Sequence, residues 1–256
     1  MIRIGTSGYS YDDWVGPVYP PDIKKSDWLQ YYTTLFDTTE INFSYYRQPN
    51  AWTLERMAAK VPAGFLFTIK AFQGLTHERA AGNEAEFRTF VEALKPLIEQ
   101  DKFGCVLAQF PWGFKATPAN AGYLRLVREQ FGDLPVVIEF RNREWLSDET
   151  FALLRAERLG FCCVDEPRFQ SLMPPVAVAT SAISYVRFHG RNAEKWFKHD
   201  RPEERYSYSY EPAELKEWVP KIERLQEDSS TTYVFANNHY QGQSVTTGQQ
   251  LKLLLS

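Results

Sequence analysis

Eight short runs rich in β-branched, aromatic and aliphatic residues recur along the whole chain, at 3–6, 38–42, 65–70, 105–109, 136–140, 161–165, 184–188 and 233–237. Segments with helical periodicity separate most of them. Strands that alternate with helices make a parallel sheet with right-handed crossovers. Eight such units favour closure, which predicts a single (β/α)8 barrel of the TIM type over residues 1–256. A doubly wound open sheet is the lesser reading, because no G-x-G-x-x-G follows the first run.

Helix signals fall between the runs. Asn83 is placed to cap a helix with apolar positions Phe87, Phe90, Val91, Leu94, Leu97 and Ile98, and Glu86 stands where a capping box needs it. Ser26 precedes Trp28, Tyr31, Tyr32, Leu35 and Phe36 in the same rhythm. Thr117-Pro118, Ser147 and Glu211-Pro212 mark three further starts. Pro96 and Pro220 lie inside two helical patterns and predict kinks or breaks there. The sixth unit is weakest, since residues 168–182 carry Pro174-Pro175 and little periodicity. After the seventh strand comes a long charged and aromatic loop, residues 189–210, which is either a lid or a solvated insertion packed on the rim.

Composition sets limits on function. Hydrophobic residues make up 44% and charged residues 24% of 256, enough apolar material for a real core. The net charge of −3 argues against a dedicated nucleic-acid binder, so any phosphate recognition needs a local cluster of Lys and Arg. Cys105, Cys162 and Cys163 form no C-x-x-C pair and sit in apolar runs, which predicts reduced core thiols and fits a reducing compartment. The first residues read as a strand and not as a charged segment leading into an apolar one, so no signal peptide is predicted. No apolar run approaches a membrane span. A cytoplasmic location without membrane contact is the expectation; oligomeric state is left open.

Parity along the strands locates a site. Alternate side chains of a strand point to opposite faces. In the second strand Glu40 and Asn42 share a face with Thr38, opposite Thr39 and Ile41. In the third, Lys70 and Thr68 oppose Phe67 and Ile69; in the fifth, Glu139 and Arg141 oppose Ile138 and Phe140; in the seventh, Arg187 and His189 share a face with Tyr185. Ser7, Gln109, Asp165 and Asn237 stand at the ends of the first, fourth, sixth and eighth strands. Burying such groups without partners is costly. A polar set repeated on one face and at one end is explained by a shared site at the C-terminal mouth, where barrel sites lie. The alternative for each residue is an ion pair that merely lines the lumen.

These residues also resemble a known family. Gly5-Thr6-Ser7-Gly8-Tyr9, Trp14-Val15-Gly16, Tyr19-Pro20, Glu40-Ile41-Asn42, Tyr45-Tyr46 and Pro49 are similar to the opening of the YecE-like proteins, domain of unknown function 72. The likeness continues through Phe67-Thr68-Ile69-Lys70, Thr76-His77, Gln109-Phe110-Pro111, Glu139-Phe140-Arg141 with Trp145, Arg187-Phe188-His189-Gly190-Arg191 and Asn237-Asn238. It spans nearly the whole chain and implies a TIM-type barrel, but no reaction. Asn142 stands where many members carry His, and Val245-Thr246-Thr247-Gly248 replaces an Asn-Ala-type segment.

The residue types favour an enzyme acting by acid–base chemistry on a small anionic or polyhydroxy substrate bearing phosphate or carboxylate. Glu40, Lys70, Glu139 and His189 are the candidate catalytic residues. Lys70 also suits a Schiff-base role. Arg141, Arg187 and Arg191 suit bidentate anion recognition. Ser7, Asn42, Gln109, Asp165, Asn237 and Asn238 offer polar contacts, His77 a proton carrier, and Tyr9, Tyr46 and Trp145 an aromatic wall. No cofactor and no metal ligands are assigned. A divalent-metal isomerase or hydrolase is the lesser alternative: Glu40, Glu139, Asp165 and His189 are suitable donor types, but the four His show no H-x-x-x-H or H-x-H spacing and the cations compete. A nucleotide or single-stranded nucleic-acid binding module is the other, on the strength of arginines and aromatics along one rim.

Overall fold

The computed structural model describes the backbone of residues 1–256 and the side chains of all but Pro202. All eight β-rich runs form strands: β1 (Ile2–Ser7), β2 (Thr38–Ile41), β3 (Leu66–Lys70), β4 (Phe103–Gln109), β5 (Val136–Glu139), β6 (Gly160–Asp165), β7 (Ile183–Phe188) and β8 (Thr231–Ala236). They pair in parallel and in sequence order, and β8 closes on β1. The register sets Ser7 beside Glu40, Glu40 beside Thr68, and Gln109 beside Glu139. The polar ends of neighbouring strands therefore meet at one level. Gly5 is required where β1 approaches β2, because a Cβ there would collide with the Thr38 carbonyl oxygen.

Helices surround the strands: α1 (Trp28–Tyr32), α2 (Phe43–Tyr46), α3 (Ala51–Ala58), α4 (Glu84–Glu99), α5 (Pro118–Phe131), α6 (Asp148–Ala156), α7 (Pro212–Lys216), α8 (Val219–Glu227) and α9 (Gln243–Leu254). Thr117 and Ser147 cap α5 and α6, accepting from Asn120 N–H and Thr150 N–H. Glu214 accepts from the Glu211 N–H at the start of α7. Two expected caps differ. Asn83 precedes α4 but turns its amide to Tyr123 Oη and the Gly74 carbonyl, and Glu86 does not close a capping box. Ser26 lies in a short 3-10 turn, and Asp27 takes the position before α1.

The two internal prolines act differently. Pro220 stands in the first turn of α8, where its missing N–H is harmless, and the predicted long helix is broken into α7 and α8. Pro96 falls in the last turn of α4, which runs on through it to Glu99. The weak sixth unit has no helix: residues 166–182 connect β6 to β7 as irregular chain.

Apolar side chains fill the layer between strands and helices, with Trp14, Phe67, Phe87, Phe90, Leu94 and Trp218 fully buried. Cys105, Cys162 and Cys163 are buried and free, as expected of core thiols. Inside the barrel, Tyr185, Tyr233 and Phe235 fill the lower lumen, with the last two rings stacked 6.0 Å apart. No helix among the described residues is long and apolar enough to cross a membrane.

Candidate functional site

Above this aromatic floor lies a layer of charges. Arg187, from β7, stands between carboxylates of β2 and β5. Its Nε and Nη2 donate to the two oxygens of Glu40, at 2.9 and 2.6 Å, and its Nη1 donates to Glu139 at 2.7 Å. Tyr185 donates to Glu40 at 2.7 Å, and Ser7 Oγ lies 3.4 Å from Arg187 Nη2. Arg141 reaches the other oxygen of Glu139 at 2.7 Å and Glu166 at 3.1 Å. The parity reading thus brings Ser7, Glu40, Glu139, Arg141 and Arg187 into one network.

His189 joins it from above. Its Nε2 lies 3.2 Å from Glu139 and its Nδ1 2.9 Å from the Asn237 amide nitrogen. A carboxylate can only accept, so Nε2 carries the proton and Nδ1 accepts from Asn237. Burial, with Arg141 and Arg187 nearby, pushes the His189 pKa down to about 3. Burial alone would raise the Glu139 carboxyl, but Arg141, Arg187 and His189 overcome it and hold Glu139 well below the usual range.

Two adjoining cavities open above the charged layer, of about 610 and 410 Å³. Tyr45, Tyr46, Lys70, Arg141 and Tyr206 line both. The larger adds Tyr9, Tyr11, Asn42, Arg187, Asn237 and His239; the smaller adds His77, Gln109, Trp112 and Trp196. Asn42 Oδ1 is buried without a hydrogen-bond partner. Tyr11 and His239 stack 4.5 Å apart and 5° from parallel. Lys70 differs from the arginines. Its ammonium lies 4.3 Å above the Tyr45 ring centre, and among the described residues no carboxylate comes within ion-pairing distance. Burial, then Arg187, lowers its pKa to about 8. His77, whose Nδ1 bonds Thr76, is pushed down to about 4 by burial and by Lys70.

Four expected site residues lie elsewhere. Asp165 is the last residue of β6 and faces the helices. It accepts from Arg191 at 2.8 and 2.9 Å, from Tyr210 at 2.8 Å and from Trp218 at 2.7 Å. Arg191 goes with it, bonding Glu214 and Glu217 as well, and so anchors the root of the long loop outside the lumen. Asn238 is fully buried and bonds the Tyr208 carbonyl and Thr247. Trp145 is no cavity wall: its ring stacks on Phe140 at 4.5 Å and its N–H donates to the Phe114 carbonyl. Asn142, where the family pattern has His, also has a local task, joining the Trp112 carbonyl to the Glu144 N–H.

Glu166 is the lumen carboxylate that the strand-end reading missed. It accepts from Arg141 and, at 3.0 Å, from the Met173 N–H. Burial raises it to about 7 against the pull of Arg141. On β6 the face carrying Cys162 and Val164 continues to Glu166, so counting one residue past the strand finds it. Tyr11, Tyr45, Tyr206 and His239 were also missed. Tyr11, Tyr206 and His239 come from loops and Tyr45 from the short helix α2, where strand parity gives no direction. The long loop brings Trp196 and Tyr206 over the mouth, 6.4 and 6.3 Å from His189 between ring centres.

Among the described residues no three His, Cys, Asp or Glu side chains converge as a metal-binding group; the lumen carboxylates face guanidinium groups instead. The arrangement defines a TIM-type barrel with a cationic, tyrosine-walled pocket at the C-terminal ends of its strands. Residues 3–256 match the family model described as "Protein of unknown function DUF72", and the chain belongs to that family. UPF0759 protein YunF of Bacillus subtilis (strain 168) is 34% identical, over 100% of this chain and 95% of that protein. The crystal structure of a DUF72 family protein from Thermotoga maritima MSB8 superposes with a TM-score of 0.93 at 38% identity, covering 100% and 99% of the two chains. A DUF72 family protein from Enterococcus faecalis V583 gives 0.89 at 27%, covering 100% and 95%.

Proposed function

We propose that the protein is an enzyme that works by acid–base chemistry on a small anionic substrate, bound at the barrel mouth by Lys70 and Arg141. One observation carries this reading. Glu40 and Glu139 are taken up by the arginines, while Lys70 faces both cavities with no carboxylate of its own. An ammonium so placed, beside a guanidinium, attracts a phosphate or carboxylate. Asn42, Gln109 and Asn237 on the walls suit hydroxyl groups, and the cavity of about 610 Å³ is of small-molecule size. Lys70 and His77 are the groups placed to move protons. His189 and Glu40 are fully buried and serve to hold Glu139 and Arg187.

The test is a thermal-shift and calorimetric panel of sugar phosphates, small carboxylates, nucleotides, oligonucleotides and divalent metals, each beside an uncharged analogue. Phosphates or carboxylates are expected to stabilise the protein where their neutral analogues do not. Lys70→Met removes one charge-assisted contact worth about 1.5–3 kcal/mol, a loss of roughly tenfold to over a hundredfold in affinity. Equal binding of a neutral sugar and its phosphate would overturn the reading. A nucleotide is the second reading, favoured by the stacked Tyr11–His239 pair; stabilisation by nucleotides beyond that by sugar phosphates would select it.

A further inference from the structure

We infer that Lys70 is the nucleophile of a carbonyl chemistry, forming an imine with a keto or aldehyde group of a substrate whose anionic end rests on Arg141. This rests on the anion-site reading and gives that substrate a second functional group. The geometry separates the two tasks. Arg141 lines both cavities while its Nε and Nη1 are engaged by Glu139 and Glu166, which fixes its guanidinium and leaves Nη2 for an anion. Lys70 lines the same cavities but has no partner to fix or neutralise it, only the face of Tyr45. An amine serving as a nucleophile must be able to lose its proton, and among the described residues no carboxylate pairs with Lys70 to hold it in the charged form. The surroundings favour loss. With its pKa near 8, about a tenth of Lys70 is neutral at pH 7, against a few parts in ten thousand for an ordinary lysine.

A proton carrier stands beside it. The His77 ring meets the edge or face of Tyr45 at 5.0 Å between centres, on the same ring that supports Lys70. Its Nδ1 is taken by Thr76, and the residue lines the smaller cavity. The step balances without an oxidant. The Nζ lone pair attacks the carbonyl carbon, the π pair moves to oxygen, and a proton passes from nitrogen to that oxygen through His77. His77 then takes the remaining proton from the carbinolamine nitrogen and delivers it to the hydroxyl, which leaves as water while the nitrogen lone pair forms the C=N bond.

The experiment is reductive trapping on the full chain. The protein is incubated with pyruvate or dihydroxyacetone phosphate, treated with borohydride, and analysed by intact mass and peptide mapping. One adduct per chain is expected on the peptide containing Lys70, heavier by the probe less one oxygen, with a labelling rate that rises as pH passes through about 8. Lys70→Arg keeps a positive charge but has no amine that can form the imine, and it should lose the adduct. Lys70→Met should lose the adduct too, with its fold checked by circular dichroism. Probes that bind without forming an adduct at Lys70, or label surface lysines alone, would overturn the imine and leave the anion site standing. Probes that neither bind nor label would overturn both.

Discussion

Replacing Arg187 by Met removes the centre of the lumen network, and the structure says where the damage falls. Glu139 keeps Arg141 at 2.7 Å. Glu40 loses both guanidinium contacts and retains only the Tyr185 hydroxyl at 2.7 Å. Breaking a buried pair from one side costs about 3–5 kcal/mol. The destabilisation should therefore be about 3–5 kcal/mol at pH 7, and urea denaturation of Arg187→Met measures it. Adding Glu40→Gln removes the stranded charge and should recover most of the loss. A loss below about 1 kcal/mol, or no recovery in the double variant, would refute the reasoning.

Two further perturbations follow from the same geometry. Glu166 titrates near 7 in the folded protein and near its ordinary value when unfolded, so the folded state binds the extra proton and this group's contribution falls as pH rises between about 4.5 and 7. Glu166→Gln should remove that falling component and tilt the pH–stability profile upward across the same window; an unchanged profile would show that Glu166 is ionised throughout. Asp165→Asn deprives Arg191 of its buried partner and should cost about 3–5 kcal/mol, with faster hydrogen exchange and proteolysis confined first to the loop that follows Arg191. Loss of ligand binding with a rigid loop would instead place Asp165 in the site.

The barrel was legible because the feature that makes it, eight strands each carrying a period-two pattern, is local and repeated. The site was legible to the extent that it lies on strands. Glu40, Lys70, Glu139, Arg141, Arg187 and His189 lie on the lumen side at or just beyond the strand ends, and the parallel register gathers them at the C-terminal mouth. The reading failed where position in a strand was used without parity. Asp165 ends β6 but shares its face with Cys163, and it points to Trp218; Glu166, one residue on, points inward. It failed again where a residue type suited two settings. Trp145 fits an aromatic wall or a stacked core, and only its neighbours Phe114 and Phe140 decide. Tyr11, Tyr206 and His239 lie on loops, whose paths depend on contacts between distant segments, such as Trp14 Nε1 donating to the His239 carbonyl at 2.7 Å.

The identity of the barrel mouth as an anion site is tested most directly by crystals soaked in tungstate, with the anion located by its anomalous signal. A single strong peak is expected within hydrogen-bonding distance of Lys70 Nζ and Arg141 Nη2, and it should vanish in Lys70→Met. A peak confined to surface arginines, or one at the mouth that persists unchanged without the Lys70 ammonium, would contradict the assignment of that cavity to an anionic substrate.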